Sequence, residues 1–200
     1  MSVTPAVCYT LALEGFPMRL LKIPVLLCLA AAVVFAVAQP QYAQAQGGQK
    51  PLSPPAKADV TLTNAHISID YSAPSVRGRT IFGGQVPYGE VWRTGANAAT
   101  TLKTTGSLQI GDLNVPAGTY TLYSLPTADG WKLIVNKQTG QWGTVYDKSQ
   151  DLGRVTMSVG STATPVETMV IDFEKTMGNA TELHVKWANV DASVQITAVK

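Results

Sequence analysis

The sequence contains few of the residues on which most catalytic and metal sites depend. Its 200 residues include two cysteines, Cys8 and Cys28, and two histidines, His66 and His184. Both cysteines precede residue 46, so the chain after that point has no thiol nucleophile, no thiolate metal ligand and no disulfide. Motifs such as H-x-H, H-E-x-x-H, G-x-S-x-G and a phosphate-binding loop are also missing. We therefore expect no cofactor and no bound metal ion.

Charge is also scarce, since charged residues make up only 14% of the chain. The whole chain has 15 basic and 13 acidic residues. Without Arg19, Lys22 and Glu14, which precede residue 46, 13 basic and 12 acidic residues are left, for a net charge of about +1. This balance predicts neither a nucleic-acid-binding surface nor an anionic-membrane surface.

The start of the chain has the pattern of an export signal. An apolar run over 20–38 follows Arg19 and is itself followed by the small residues Ala43 and Ala45. A positive flank, an apolar core and an A-x-A exit are typical of a secretory signal peptide. We expect residues 1–45 to be removed, which would export the protein across the inner membrane to the periplasm or the medium.

The alternative at this end of the chain is an uncleaved membrane anchor. Its uninterrupted apolar part covers 23–38, which is 16 residues, whereas a spanning helix needs about 20. Cleavage is favoured, and contact with a membrane is then expected only through the signal segment. Met18 stands directly before the positive flank, so residues 1–17 are interpreted as a mis-called start of the chain.

The rest of the chain predicts one β-rich domain over 58–200, preceded by a flexible Gly- and Pro-rich linker over 46–57. Polar and apolar residues alternate with a period of two, as in strands with one buried face. About ten such segments are separated by Gly and Pro turns, and no amphipathic helix is evident. We predict an all-β antiparallel β-sandwich, jelly-roll or Greek-key-like. A partly closed barrel is the alternative. The predicted segments lie at 60–62, 67–71, 100–104, 107–110, 119–125, 131–136, 155–159, 169–173, 183–187 and 194–198.

Segment 73–98 breaks this pattern, because connections longer than about 12–15 residues are uncommon in compact domains. It contains three arginines, Arg77, Arg79 and Arg93, together with large apolar side chains and five glycines. Large apolar groups seek burial, so the composition does not resemble that of a disordered segment. We predict a long ordered loop rich in Arg, aromatic residues and Gly.

Five residues are candidates for ligand binding: Arg79, Glu90, Arg93, Asn97 and Trp142. A guanidinium presents a planar fork of donors to carboxylates and other anions, and a carboxylate such as Glu90 is a potential general base. The competing interpretation is that the arginines bond carbonyls of the loop and that Asn97 caps a turn in left-handed backbone. Tyr120, Tyr123, Trp131 and Trp142 are candidates for an aromatic platform that binds a sugar or peptide. Of these four, only Trp142 is in a plainly loop-like setting, and the aromatic residues at strand positions are expected in the core.

The two histidines lie on the polar side of their strands, and we expect both to be solvated. A metal site shared with Asp70 or Glu182 is the weaker alternative, because no local ligand motif supports it.

The string Y-S-x-P-S-V-x-G-R-x-I-F-G-x-x-V-P-Y-G-x-x-W-R-T-G-A-N-x-A-T, over 71–100, resembles the core motif of the bacterial family called domain of unknown function 2911. P-A-G-T-Y at 116–120, Trp142-Gly143, Asp151 with Arg154, and Trp187 extend the resemblance over about 53–197. The resemblance implies an exported β-rich domain without an established activity.

Three hypotheses for the function follow. The first is an exported, non-catalytic binding or interaction module, whose partner is an unidentified small molecule or an envelope component. The second is a hydrolase-like enzyme with an Arg/Glu pocket, and the third is a structural domain of the cell envelope. The absence of a recognisable nucleophile favours the first hypothesis over an enzyme.

Overall fold

The structure, a computed structural model, describes residues 52–200. The predicted signal peptide over 1–45, the suggested false start over 1–17 and both cysteines lie outside the described residues. Within 52–200, no helix is long and apolar enough to cross a membrane.

Nine strands and one short 3₁₀ helix make up the regular structure of residues 52–200. Every strand pair is antiparallel, which confirms the all-β antiparallel prediction. The strands are β1 (Pro55–Leu62), β2 (Ala65–Ser72), β3 (Thr100–Thr104), β4 (Leu108–Ile110), β5 (Leu113–Val115), β6 (Gly118–Thr127), β7 (Gly130–Asn136), β8 (Asp151–Met177) and β9 (Ala180–Ala198), and the 3₁₀ helix is Lys148–Gln150.

The strands form one sheet in the order β1-β2-β3-β6-β7-β8-β9-β4-β5. The first part of β8 pairs with β7, and the rest of it pairs with β9, so β8 belongs to both halves of the sheet. The two halves contact each other, since the Tyr71 hydroxyl of β2 accepts a hydrogen bond of 3.0 Å from the Ile171 N–H of β8, and their buried residues belong to one core. The arrangement is compatible with the predicted sandwich, in the form of a single sheet bent over one core.

The close approach of the two halves is visible at Gly111, in the tight turn between β4 and β5. Its φ is +55°, a left-handed conformation that favours glycine. A Cβ at this position would lie 2.3 Å from Cγ1 of Val155 in β8, so no larger residue fits without a shift.

Several predicted strand boundaries differ from the structure. Two pairs of predicted segments, 155–159 with 169–173 and 183–187 with 194–198, are joined into the continuous strands β8 and β9. Register shifts between Ser161 and Val170 interrupt the alternation, because a bulge changes which face the following side chains occupy. The polar, Gly- and Pro-containing stretch between the two β8 segments therefore looked like a loop in the sequence. β5, with three residues, is too short to show a pattern.

β1 begins at Pro55, three residues before the boundary predicted for the domain. Pro55 is paired with Ser72 at the first position of an edge strand, where a missing N–H is tolerated. The last residues of the predicted linker are thus part of the sheet.

The predicted long ordered loop, 73–98, is tied to the sheet along its length. Trp92 exchanges two backbone hydrogen bonds of 2.8 Å with Ser124 of β6, beyond the end of β3. Near the start of the loop, the Val76 N–H donates to the Glu167 carbonyl of β8 at 2.8 Å. These bonds satisfy backbone groups that an irregular segment cannot pair internally.

Aromatic side chains hold the same loop against the core. Phe82 and Trp92 of the loop pack on Trp131 of β7 and Trp187 of β9. The expectation that aromatic residues at strand positions belong to the core is confirmed, since Tyr120, Tyr123 and Trp131 are all buried.

Candidate functional site

Residues of segment 73–98, β6, β9 and the turn before the 3₁₀ helix line a cavity of about 360 Å³. Ligand pockets in proteins have volumes of about 300–1,000 Å³, so this cavity suits a small molecule. Three of the five sequence candidates, Arg79, Glu90 and Arg93, are brought together in its wall.

The other two candidates, Asn97 and Trp142, do not line this cavity. Asn97 has a left-handed φ of +59°, its side-chain amide donates to the Ser53 carbonyl at 3.3 Å, and its own carbonyl accepts from Gly143 N–H at 3.0 Å. This is the turn-forming role that the sequence left open as the alternative. Trp142 is 54% exposed and pairs through its backbone with Ala98.

Arg79 is a structural residue of the loop. Its Nε donates to the Val76 carbonyl at 3.1 Å, its Nη2 to the Ser75 carbonyl at 2.7 Å, and its Nη1 to Oε1 of Gln85 at 3.1 Å. All three nitrogens are therefore engaged with acceptors of the same segment, and the guanidinium closes the loop on itself.

Arg93 is held differently. Its Nε donates to the Gly95 carbonyl at 3.3 Å, while its two Nη nitrogens have no hydrogen-bond partner among residues 52–200. Its aliphatic stem lies against Gly143, where a Cβ would approach the Arg93 Cδ to 2.5 Å. The aliphatic stem and the Nε of Arg93 are thus fixed. The two Nη nitrogens of its guanidinium are left available to a ligand at the wall of the cavity.

The residue after Arg93 is in a strained conformation. Thr94 is fully buried with a φ of +51°, although a β-branched residue rarely adopts this region. Its Oγ1 lies 2.8 Å from the Ser124 hydroxyl, and its carbonyl accepts from the Thr100 hydroxyl at 2.9 Å. Such strain costs about 1–3 kcal/mol and is often found at functional sites. Here it fixes the backbone from which Arg93 extends.

Four aromatic residues also line the cavity, and none of them was among the five candidates for ligand binding. Trp92 and Trp187 are stacked with ring centroids 5.7 Å apart, and Tyr123 meets the edge of Tyr146 at 4.9 Å. These residues come from separate parts of the chain, and only Tyr123 was among the residues considered for an aromatic platform. No local pattern in the sequence joins them.

Tyr146 is anchored by a charged pair. Its hydroxyl donates to Oδ2 of Asp151 at 2.7 Å and accepts from Nη2 of Arg154 at 2.6 Å. Burial, followed by the hydrogen bond to Asp151 and the charge of that residue, raises the pKa of Tyr146 to about 12. The phenol is therefore neutral at physiological pH, and it contributes an uncharged aromatic face to the cavity.

Glu90 is exposed and has neither a hydrogen bond nor an ion pair within the part of the chain that the structure describes. In particular it is not paired with Arg93, although both line the same cavity. The wall of the cavity thus has one anionic group, Glu90, and two cationic groups, Arg79 and Arg93, and none of them forms an ion pair with another within residues 52–200.

A second cavity of about 480 Å³ shares Arg79 with the first. Its charged groups are occupied, because Glu167 accepts from the Arg77 N–H at 2.9 Å and Arg79 bonds the loop. The first cavity is therefore the better candidate for a binding site. Among residues 52–200, no group of three or more His, Cys, Asp or Glu side chains is arranged to hold a metal ion.

The two histidines have different environments. His66 is exposed, as predicted, but the prediction of a solvated His184 is wrong, because only 6% of this residue is exposed. Its Nδ1 lies 2.8 Å from Oδ1 of Asp191 and its Nε2 3.3 Å from Oε2 of Glu182. Both of these carboxylates belong to β9, and Oε2 of Glu174 in β8 lies 3.7 Å from the same Nε2. Carboxylates replace water around the ring, which the alternation of a single strand does not show.

Ion pairs on β8 and β9 extend this cluster. Lys186 binds both Glu174 and Asp172, and Lys175 lies 2.8 Å from Oε2 of Glu182. The hydrogen bond from Lys186 lowers the pKa of Glu174, and that from Lys175 lowers the pKa of Glu182.

Comparison with known proteins identifies a family. Residues 53–196, which include nearly all of the sheet, match the family model described as "Protein of unknown function (DUF2911)". No curated protein and no solved structure matches the chain.

The two arginines of the cavity are expected to differ in their contribution to stability. Methionine keeps the aliphatic stem and removes the guanidinium. Arg79→Met loses three hydrogen bonds and should cost about 1–3 kcal/mol, whereas Arg93→Met loses one long bond and should cost less than about 1 kcal/mol. Each kcal/mol of lost stability lowers the midpoint of thermal unfolding by about 2–4 °C for a domain of this size. An Arg93→Met variant as unstable as Arg79→Met would contradict the assignment of Arg93 to the site.

The ion pairs of β8 and β9 predict a dependence of stability on pH. Glu174 and Glu182 have lower pKa values in the folded chain than the ordinary value of 4.5. The unfolded chain therefore binds more protons in this range, and the free energy of unfolding should fall as the pH decreases below about 4.5. Urea unfolding at pH 7 and pH 3.5 measures this fall.

Lys186→Met should be less stable than the parent at pH 7, and the difference should become smaller at pH 3.5. Lys103→Met, which removes an exposed pair with Asp70, is the matched control and should leave the pH profile unchanged. Parallel profiles for Lys186→Met and the parent would refute the role of these pairs.

Proposed function

We propose that this chain, which belongs to the DUF2911 family, is a binding protein that takes a small organic carboxylate into the cavity beside Arg93. The observation that carries the proposal is the open edge of the Arg93 fork. One nitrogen and the stem of Arg93 are fixed, while the two Nη nitrogens have no partner within residues 52–200. A guanidinium in this state is pre-organised to donate two parallel hydrogen bonds to a carboxylate.

The aromatic wall supports the same proposal. The wall of the cavity is partly aromatic: Trp92 and Tyr146 are half-buried there, whereas Tyr123 and Trp187 are almost fully buried. Ligand pockets typically combine such apolar walls with a few convergent polar groups. The expected ligand therefore has a carboxylate at one end and a compact apolar part.

Binding is favoured over catalysis because no group within 52–200 orients Glu90, the carboxylate of the cavity wall. A catalytic base is usually held in place by a further group that bonds to it. A purely structural envelope domain accounts for Arg79, whose nitrogens all bond the loop. It gives no role to the open fork of Arg93.

A thermal-shift titration tests the proposal. Carboxylates that fit about 360 Å³, with and without a second charged group, are added to the parent, to Arg93→Met and to Arg79→Met. A ligand at one hundred times its Kd stabilises the folded state by about 2.7 kcal/mol, or roughly 5–11 °C here. At least one carboxylate should raise the midpoint of the parent and of Arg79→Met but not that of Arg93→Met.

If a carboxylate raised the unfolding midpoint of Arg93→Met as much as that of the parent, the ligand would bind elsewhere. If no carboxylate raised the midpoint of the parent, the proposed function would be refuted.

We further propose that the protein acts outside the cytoplasm, on the basis of the signal-like pattern over 1–45. Expression of the full sequence in a bacterial host should yield a processed chain in the periplasmic fraction, with Gln46 as its first residue by mass spectrometry. A cytoplasmic chain that retains the apolar segment would refute this proposal.

A further inference from the structure

The cavity contains two opposite charges that are not used by the fold. Arg93 presents its two Nη nitrogens without a partner, and Glu90 has no hydrogen bond or ion pair within residues 52–200. The third charged residue of the wall, Arg79, is exposed and has each of its nitrogens bonded to an acceptor of the loop. The charged groups of the wall that have no partner within residues 52–200 are therefore Arg93 and Glu90. Arg79 adds a second positive charge, because all its hydrogen-bond acceptors are neutral.

We infer that the ligand is a small zwitterion, a carboxylate that also carries an ammonium group, as in amino acids and betaines. This inference rests on the proposed function, since it uses the same cavity and the same role for Arg93. A simple monocarboxylate would engage Arg93 and leave Glu90 repelling the bound anion. A zwitterion satisfies both side chains at once and keeps its own net charge at zero.

The aromatic residues of the wall favour the same class of ligand. The faces of Trp and Tyr rings attract ammonium groups, most strongly where water is excluded. Trp92 and Tyr146, which are half-buried, line the cavity together with Glu90, whereas Tyr123 and Trp187 are almost fully buried. Tyr146 is neutral at physiological pH, so it adds no charge of its own to the cavity.

The exposure of the two charged residues suggests an orientation for the ligand. Arg93 is half-buried and held against Gly143, whereas Glu90 is exposed. The carboxylate is then the inner group, and the ammonium lies toward the solvent between Glu90 and the rings.

Isothermal titration with isosteric pairs of ligands tests the charge of the second group. Trimethylglycine and 3,3-dimethylbutanoate have the same shape, with a quaternary nitrogen replaced by carbon. L-Phenylalanine and 3-phenylpropanoate form a second pair, which differs in a primary ammonium group. The protein is produced from its full sequence and used as the cell processes it.

At least one zwitterion should bind about tenfold tighter than its partner that lacks the ammonium group. Glu90→Gln keeps the size and polarity of the side chain and removes its charge, so it should abolish most of this preference. Because Glu90 makes no bond within the described residues, the variant should fold as the parent does. Asp112→Asn, which removes an exposed carboxylate outside the cavity, is the matched control and should keep the preference.

The outcomes separate the two proposals. Carboxylate binding that depends on Arg93, without preference for either zwitterion, would overturn the inference and retain the proposed function. A preference that persists in Glu90→Gln would also overturn the inference. Failure of every carboxylate, zwitterions included, would overturn both.

Discussion

The arrangement of this protein depends on the contact between two aromatic residues of the long loop and two of the sheet. Phe82 and Trp92 pack on Trp131 and Trp187, with the Trp92 and Trp187 rings stacked and the Phe82 and Trp131 centroids 4.7 Å apart. Such pairs contribute about 0.5–1.5 kcal/mol beyond the apolar area that they bury. They hold a segment without regular structure over the sheet. The cavity exists only because this segment is in place, and two of the four rings are also part of its wall.

Two arginines of the same loop are used in opposite ways. The loop backbone and a neighbouring side chain accept from all three nitrogens of Arg79, which therefore replaces the hydrogen bonds that a strand would have made. Arg93 makes a single bond through Nε and is positioned by packing and by the strained backbone at Thr94. Strain is tolerated at Thr94 because buried hydroxyl contacts with Ser124 and Thr100 stabilise it. A preformed guanidinium fork beside aromatic faces is the result.

Much of the fold and part of the site could be predicted from the sequence. The period-two alternation gave the class and most strands, and the composition of 73–98 gave the ordered loop, because both are local patterns. The continuity of β8 could not be predicted, since its bulges between Ser161 and Val170 break the alternation. Arg79, Glu90 and Arg93 were found because they lie in one short segment. Tyr146 and Trp187 were not, because folding brings them to the cavity from distant parts of the chain: Trp187 from β9, and Tyr146 from the turn before the 3₁₀ helix, where Asp151 and Arg154 hold its hydroxyl.

The sequence by itself determined the β class, the position of the loop and the absence of cysteine from the chain after residue 46, since each of these is a property of composition or of neighbouring residues. It did not distinguish the roles of the arginines, because a guanidinium that bonds the backbone and one that awaits a ligand are the same residue. Only the tertiary structure decided this. It placed carbonyls around Arg79 and placed aromatic rings, Gly143 and Glu90 around the cavity at Arg93. The number of acceptors within reach of each fork is set by parts of the chain that meet only when it folds.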